Sequence, residues 1–381
     1  MDATINILLL GRSGAGKSSL ANYLYQKEIF KTGDGAPVTE FGKKDMDRVS
    51  IEKGNYTINI FDAPGLEPAN YEIWKSEIGA FSERRSAFHA SPSQWIHGAF
   101  YVINAASKRI EPAELDIIKN FPKEFYFPIS VVFTNCDSAS SEDIQNMKGY
   151  LEQKIPGIQI FQVCSVERKK RGGHIVQAFG REELLKGHAD KVAFYFEQRM
   201  GIHFFDVVLP DTFHLYISRM KRKVKDSDLG FFTFLKDQDS LDQLIDVDQL
   251  EDELMKSQEI KVFEEFVGKL DEYVTALGAT PHVLEEALDR MMSIDLDDEM
   301  ERIAPFMKEI SDSMESDSFF DKVGAVFKMG WFLMTLKGQL CDMLDNMESF
   351  ARDKCHANRD ECREKLANPL AFYSYTCNAQ G

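Results

Sequence analysis

The chain has 381 residues, 44% hydrophobic and 28% charged, so its composition excludes a disordered chain and predicts a folded protein of two domains. The net charge is −17. All of it is carried by the C-terminal half, because residues 1–194 hold equal numbers of acidic and basic side chains. We expect that half to repel nucleic acid and anionic lipid unless a local basic patch intervenes.

Targeting signals and metal ligands are sparse in the sequence. The N-terminus lacks the basic and apolar segments of a signal peptide, and no apolar stretch reaches the ~20 residues of a spanning helix. Six scattered cysteines suit a reducing compartment, so we expect a cytoplasmic protein with no transmembrane segment. Cys355, His356 and Cys362 lie close together but fit no paired zinc-ligand spacing, so a metal there is the weaker interpretation.

Strand and helix patterns alternate through the first half of the chain. Short apolar runs predict strands at 4–10, 56–61, 99–104, 129–134 and 158–164, and helical patterns occupy 18–26, 112–120 and 141–154. Such alternation predicts an α/β fold, a mostly parallel sheet with helices on both faces. Ligands of such sheets bind beyond the carboxyl ends of the strands.

Helical periodicity dominates from about residue 181 onward. Helices are predicted at 182–200, 208–225, 239–256, 258–277, 281–292, 297–315, 319–348 and 349–366. We therefore divide the chain into an α/β domain, residues 1–195, and an all-α helical domain, residues 196–381.

The segment from Gly11 to Ser18 matches the phosphate-binding pattern G-x-x-x-x-G-K-[ST], between a predicted strand and a predicted helix. Glycines let backbone N–H groups turn toward phosphate oxygens, and the following helix adds its positive end. Lys17 is expected to reach the β- and γ-phosphates, and the Ser18 hydroxyl to ligate Mg²⁺. The predicted nucleotide contacts of this loop are Gly11, Ser13, Gly14, Ala15, Gly16, Lys17, Ser18 and Ser19.

A second motif, Asp62-Ala63-Pro64-Gly65, follows the strand at 56–61. Asp62 is placed to hold Mg²⁺, usually through water, and the Gly65 N–H to meet the γ-phosphate. The plainer alternative is a turn that ends a strand.

Two further motifs follow predicted strands and concern the base. Asp137, in Phe133-Thr134-Asn135-Cys136-Asp137, can accept both N1–H and N2–H of guanine, which adenine cannot offer. The alternative is that Asp137 caps the next helix. Cys164-Ser165-Val166 comes after the last predicted strand, where a backbone N–H of Ser165 or Val166 is placed to meet the guanine O6.

In this order the motifs resemble the first, third, fourth and fifth sequence boxes of the GTPase superfamily, over roughly residues 4 to 195. The P-loop followed by Asn22, the run Asp62 to Leu66, and the segment Phe179 to Leu185 are similar to the Era/TrmE/septin-related branch. Dynamin-like and immunity-related GTPases are more distant. The resemblance implies a switch that hydrolyses GTP to GDP and phosphate with Mg²⁺, its helical domain reading the nucleotide state.

Two positions depart from the pattern of that superfamily. Asn135 stands where the guanine box has a lysine that packs over the base, and we retain it as a base contact. Leu66 stands where Ras-like members have a catalytic glutamine. The resemblance then implies slow hydrolysis, raised by dimerisation or by a partner.

Switch I is expected to supply a threonine between the first helix and the strand at 56–61. We choose Thr39, whose hydroxyl would join Mg²⁺ and whose N–H would join the γ-phosphate, with Thr32 as the alternative. The predicted catalytic residues are thus Lys17, Thr39 and Gly65, and the predicted Mg²⁺ ligands are Ser18, Thr39 and Asp62.

The partners predicted from sequence are a guanine nucleotide, a second copy through the nucleotide-binding domain, and an unidentified effector. The basic run Arg168 to Gly173 is either a solvated loop or a contact for RNA, the ribosome or a partner GTPase. Arg84 and Arg85 are either surface charges or a catalytic arginine. Alternative functions are a nucleotide-dependent scaffold with little turnover and a membrane-associated protein similar to dynamins or immunity-related GTPases.

Overall fold

The computed structural model describes residues 3–28, 30, 46–54, 56–86, 89–169, 175–227, 256, 258–277 and 327–368. The chain forms two units. The first comprises Met1–Ile202, Phe263–Leu288 and Glu361–Gly381, and the second comprises His203–Val262 and Asp289–Asp360. The first unit therefore draws on later parts of the chain as well as on the N-terminal half, and the division at residues 195 and 196 stays a prediction.

A sheet of six strands organises the first unit. The strands are β1 (Ala3–Gly11), β2 (Asp47–Lys53), β3 (Tyr56–Asp62), β4 (Gly98–Asn104), β5 (Ile129–Thr134) and β6 (Ile160–Gln162). Their order is β2-β3-β1-β4-β5-β6; β2 pairs antiparallel with β3, and the other neighbours are parallel. The predicted α/β fold with a mostly parallel sheet is confirmed.

The helices of the described residues follow the same chain order. They are α1 (Lys17–Tyr25), α2 (Tyr71–Glu83), α3 (Pro112–Phe125), α4 (Ser141–Lys154), α5 (Arg181–His203), a π-helical turn (Phe204–Val208), α6 (Leu209–Asp226), α7 (Gln258–Ala276) and α8 (Phe327–Ala367). A short hairpin of β7 (Arg168–Lys169) and β8 (Ile175–Val176) follows β6. No helix among these is long and apolar enough to span a bilayer.

Strand β4 shows that helices cover both faces of the sheet. Ala99, Tyr101 and Ile103 belong to the buried apolar cluster that includes Trp74 of α2 and Phe121 of α3. Phe100 points the other way, and its ring centroid lies 4.3 Å from that of His188 in α5. Because successive side chains of a strand alternate between faces, α2 and α3 cover one face and α5 the other.

Capping explains where the helices after β4 and β5 begin. Glu111 precedes α3, its backbone N–H donates to the Glu114 side chain over 2.9 Å, and Pro112 occupies the first helical position. Before α4, the Ser140 hydroxyl accepts the backbone N–H of Asp143 over 3.1 Å. These contacts satisfy N–H groups that have no partner inside a helix, so both helices start at fixed points beyond the strand ends.

Some element boundaries differ from the sequence-based prediction. Strand β2 and helix α2 were not predicted, and β6 is shorter than the expected run 158–164. From Phe327 onward the helices predicted at 319–348 and 349–366 are one helix, α8, because neither glycine nor proline occurs near their predicted junction at Glu348 and Ser349. Residues 319–326 lie outside the described residues. The predicted helices at 281–292 and 297–315, and all but the end of 239–256, lie outside the described residues.

Helix α5 buries three basic side chains of the first unit. His188 Nδ1 lies 3.0 Å from the Ser130 hydroxyl, Lys191 Nζ donates to the Ile129 carbonyl over 3.2 Å, and Arg199 is 1% exposed. Among the described residues none of these three side chains has a carboxylate partner. Burial lowers the pKa of Lys191 to about 7, that of Arg199 to about 9 and that of His188 to about 3.

We expect Lys191→Met to raise the free energy of unfolding at pH 7 by about 1–4 kcal/mol. The pKa of Lys191 is about 7 in the folded chain and 10.5 as a free side chain. The unfolded state therefore binds an extra proton between pH 7 and pH 10.5, so the stability of the unsubstituted protein rises with pH across that window. Denaturant unfolding at pH 7 and pH 10 measures the difference, which should shrink at the higher pH.

The matched control is Lys186→Met, an exposed lysine on the same helix. Its effect should be small and nearly independent of pH. If Lys191→Met instead lowered the free energy of unfolding by the same amount at both pH values, Lys191 would not be a buried neutral amine.

Candidate functional site

The loop between β1 and α1 is shaped by close backbone contact with β4. Gly11 ends β1 with φ +133°, and a Cβ there would lie 2.3 Å from the Val102 carbonyl oxygen. Glycine is thus required by both conformation and space. The loop then turns through an Ala15 N–H to Arg12 carbonyl bond of 3.2 Å, and α1 starts at Lys17.

Lys17 lies beneath this loop and is only 8% exposed. Its Nζ donates to the carbonyls of Gly11 and Arg12 over 3.1 and 3.2 Å. Burial lowers the pKa of Lys17, and the nearby charge of Asp62 partly opposes that shift. A buried cation held against the loop is suited to bind an anion at the loop.

Ser18 and Asp62 converge from α1 and β3. The Ser18 hydroxyl donates to Asp62 Oδ2 over 3.3 Å, and Asp62 is 7% exposed. Parallel pairing of β1 with β3 sets Leu9 opposite Asp62, which explains why the carboxylate lies at the loop. A hydroxyl and a carboxylate are the hard oxygen donors that Mg²⁺ prefers, so the pair fits that ion.

The third predicted Mg²⁺ ligand, Thr39, and its alternative, Thr32, lie outside the described residues. In the described part of the chain no three His, Cys, Asp or Glu side chains come together as a metal-binding group. Cys355, His356 and Cys362 therefore form no such group.

Gly65 lies directly against the phosphate-binding loop. A Cβ at Gly65 would be 2.1 Å from Ser13 Oγ and 2.7 Å from the Ser13 backbone N, so no larger residue fits. The next backbone N–H, of Leu66, donates to the Gly11 carbonyl over 3.1 Å. The Leu66 side chain is buried at 3% exposure, so a catalytic side chain has no place at this position.

The residues predicted to contact the base come together at the ends of β5 and β6, which are parallel neighbours. Asp137 lies in a short 3₁₀-helix, Cys136–Ser138, and Asn135 before it has φ +51°. The Cys164 thiol lies 3.6 Å from Asp137 Oδ1, and the Ser138 hydroxyl donates to Oδ2 over 3.2 Å. The structure thus brings Asp137 and the Cys164-Ser165-Val166 segment together.

Thr134 connects the two halves of the site, and sequence reasoning gave it no role. Its hydroxyl donates to the Ala15 carbonyl over 2.6 Å and lies 3.3 Å from the Ile103 carbonyl. Thr134 is buried, so the end of β5 supports the phosphate-binding loop directly. Its place before Asn135 at a strand end is the sequence signal from which such a role could have been predicted.

The basic residues weighed from sequence have different surroundings. The Arg85 guanidinium lies 4.8 Å from the centroid of the Phe61 ring and 4.9 Å from that of Phe81, and it donates to the Gln94 carbonyl. Arg84 is exposed at the end of α2. Of the basic run Arg168 to Gly173, only the backbone of Arg168 and Lys169, in β7, is described.

Comparisons with known proteins agree with this geometry. The model of the AIG1 family matches residues 5–170. That span contains the phosphate-binding loop, the Asp62–Gly65 motif, Asp137 and Cys164. Residues 5–170 are therefore similar to the AIG1 family, over less than half of the chain. The finer placement in the Era/TrmE/septin-related branch stays a prediction.

The individual proteins that are similar to this chain are distant relatives. Immune-associated nucleotide-binding protein 1 of Arabidopsis thaliana is 27% identical over 238 residues, which are 59% of this chain and 94% of that protein. Cell division control protein 12 of Saccharomyces cerevisiae is 21% identical, and the match covers 41% of this chain and less than half, 42%, of the yeast protein.

Solved structures are also similar to the chain. Toc33 from Arabidopsis thaliana, in complex with Mg²⁺ and GMPPNP, is 20% identical with a TM-score of 0.37. The match covers 50% of this chain and 85% of that one.

Proposed function

We propose that the chain binds GTP with Mg²⁺ and hydrolyses it to GDP and phosphate, as a molecular switch. The observation that carries this proposal is one edge of the sheet, where a buried lysine in a phosphate-binding loop and an oriented aspartate, Asp137, are joined through Thr134. The buried lysine and its loop suit a polyphosphate, and the aspartate suits guanine. The relative that the chain covers almost completely is named a nucleotide-binding protein.

The proposed roles follow from the donors and acceptors at each position. Lys17 contacts the β- and γ-phosphates, backbone N–H groups from Ser13 to Ser19 surround the phosphates, and the Gly65 N–H meets the γ-phosphate. Ser18, Asp62 and Thr39 would hold Mg²⁺, which would supply positive charge to the phosphate oxygens. Asp137, Asn135 and the backbone of Ser165 and Val166 contact the base. Catalysis consists of positioning the phosphates and stabilising their charge, by Lys17 and by the N–H groups of the loop and of Gly65.

The rate in isolation is proposed to be slow. Leu66 is buried where Ras-like enzymes present a glutamine, so orientation of the attacking water needs a group from elsewhere. Val166 and Phe179 are exposed apolar side chains near Cys164, and they favour a second copy of the domain as the source of that group. We further propose that the helical part of the chain reads the nucleotide state for an effector. We also propose a cytoplasmic location, because the described cysteines form no disulfide bond, as is usual in a reducing compartment.

Turnover measured with purified protein at several concentrations tests the function. We expect Mg²⁺-dependent release of phosphate from GTP, with a rate per molecule that rises with protein concentration. ATP in place of GTP, and EDTA in place of Mg²⁺, are the controls. Equal turnover of ATP and GTP would contradict the assignment.

The second candidate function is a GTP-dependent scaffold with little turnover. Buried Leu66 and the asparagine at 135 favour it, because both replace residues that support catalysis or tight base binding. Tight GTP binding combined with a flat rate near zero at every protein concentration would select this alternative.

A further inference from the structure

The peptide bond between Pro64 and Gly65 carries two relevant groups. Its N–H, on Gly65, is the proposed contact to the γ-phosphate, and its carbonyl belongs to Pro64. The described residues contain no cis peptide bond. In a planar trans peptide the C=O and N–H point in opposite directions, so a contact that fixes the oxygen also fixes the N–H.

The Pro64 carbonyl is held by the indole of Trp74. Trp74 Nε1 donates to this oxygen over 2.7 Å, and the Trp74 side chain is fully buried. Its ring stacks on Phe121 of α3 with centroids 6.1 Å apart. Close packing on the indole leaves it one position, so the direction of its N–H is fixed.

The helix that carries Trp74 is itself fastened to α3. Asp116 of α3 accepts from the Tyr71 hydroxyl, from Lys75 Nζ over 2.9 Å and from Asn120 Nδ2 over 2.6 Å. The hydrogen bond from Tyr71 has the largest effect in lowering the pKa of Asp116, and the hydrogen bond and charge of Lys75 lower it further. Asp116 therefore stays ionised and accepts these hydrogen bonds. Helix α2 therefore holds Trp74 at a constant distance from Pro64.

The next peptide is held by the phosphate-binding loop. The Leu66 N–H donates to the Gly11 carbonyl over 3.1 Å, and Gly65 lies so close to Ser13 that a Cβ there would clash with it. Both peptide planes that flank Gly65 are thus fixed, one by Trp74 and one by the phosphate-binding loop.

We propose that Trp74 is a positioning residue that aims the Gly65 N–H at the γ-phosphate. This inference rests on the proposed function, because it concerns how that site tells GTP from GDP. A donor fixed before the ligand arrives pays no reorientation on binding. Only a nucleotide with a γ-phosphate meets this N–H, so Trp74 contributes to the preference for triphosphate and nothing to the binding of GDP.

The variant Trp74→Phe keeps an aromatic ring against Phe121 and removes the N–H. We expect the Kd of a non-hydrolysable GTP analogue to rise about fivefold to tenfold, with the Kd of GDP within about twofold of its original value. Titration calorimetry with each nucleotide in the presence of Mg²⁺ gives both constants. A merely structural role would weaken both nucleotides alike, and that result would overturn the proposal.

Trp95→Phe is the matched control. The Trp95 indole is equally buried and donates to another backbone carbonyl, that of Ala90, over 2.8 Å. Its loss should leave the ratio of the two constants unchanged. If the unsubstituted protein binds neither nucleotide, the proposed function fails; if it binds both and Trp74→Phe keeps the ratio, only the role of Trp74 fails.

A measurement on the unsubstituted protein does not depend on whether Trp74→Phe folds. When the Gly65 N–H donates to an anion, its peptide is polarised and the Pro64 oxygen becomes a stronger acceptor. The ¹⁵N-labelled indole N–H signal of Trp74 should then move downfield with the GTP analogue and much less with GDP, while the Trp95 signal stays in place. A Trp74 signal that responds equally to both nucleotides would refute the proposal.

Discussion

Lys17→Ala is expected to weaken GTP binding by at least about a hundredfold. The lysine is buried, and its ammonium group lies against the carbonyls of Gly11 and Arg12 at the loop proposed to hold the phosphates. A charge-assisted contact in a desolvated site is among the strongest single interactions a protein makes. Equilibrium titration with a GTP analogue and Mg²⁺ measures the loss.

The control for Lys17→Ala is Lys154→Ala, an exposed lysine at the end of α4, which should leave affinity unchanged. Removing Lys17 also removes two hydrogen bonds to the loop, so thermal unfolding of both variants is compared with the unsubstituted protein. A folded Lys17→Ala protein that keeps its affinity for GTP would refute the proposed phosphate site.

The part of the site that was predicted from sequence is the part encoded locally. The P-loop, Asp62 and Gly65 lie within a few residues of a strand end, and the pattern of strand and helix around them is continuous in sequence. Parallel pairing of β1 with β3 then brings Asp62 to Ser18 without any further signal. The α/β architecture was predicted for the same reason.

The supporting contacts were not predicted, because packing and not spacing determines them. Thr134 and Ala15 are 119 residues apart, and their hydrogen bond exists because β5 ends beside the loop. Trp74 is only ten residues from Pro64, and Trp74, Ile78 and Phe81 have the spacing of one helix face, yet this spacing does not place the indole against the Pro64 carbonyl. Tertiary contacts of this kind depend on how the helices pack on the faces of the sheet. Motif spacing in a single sequence does not specify that packing.

Boundaries of elements were missed for a different reason. Strand β2 reads Asp-Arg-Val-Ser-Ile-Glu-Lys, and its charged residues suit an edge strand that pairs on one side only. Apolar periodicity is weak in such a strand, so the sequence pattern does not predict it.

Asp137→Asn is expected to lower the affinity for GTP at least about a hundredfold and to create a preference for XTP. The carboxylate accepts N1–H and N2–H of guanine, whereas an amide opposes one donor with another. Xanthine carries a carbonyl in place of the amino group, and the asparagine N–H₂ can donate to it. Competition binding with GTP, XTP and ATP, each with Mg²⁺, measures the change.

Asp143→Asn is the matched control for this exchange, because Asp143 is a carboxylate at the start of α4 that accepts from Ser140 and Lys108 outside the base site. Asp143→Asn should still bind GTP more tightly than XTP or ATP. The Cys164 thiol and the Ser138 hydroxyl donate to the two oxygens of Asp137. In the asparagine variant the amide oxygen can still accept from the thiol and the hydroxyl can accept from the amide nitrogen, so the side chain should occupy the same position. If Asp137→Asn still prefers GTP, the base is chosen by another group, and the phosphate site would have to be judged on Lys17 alone.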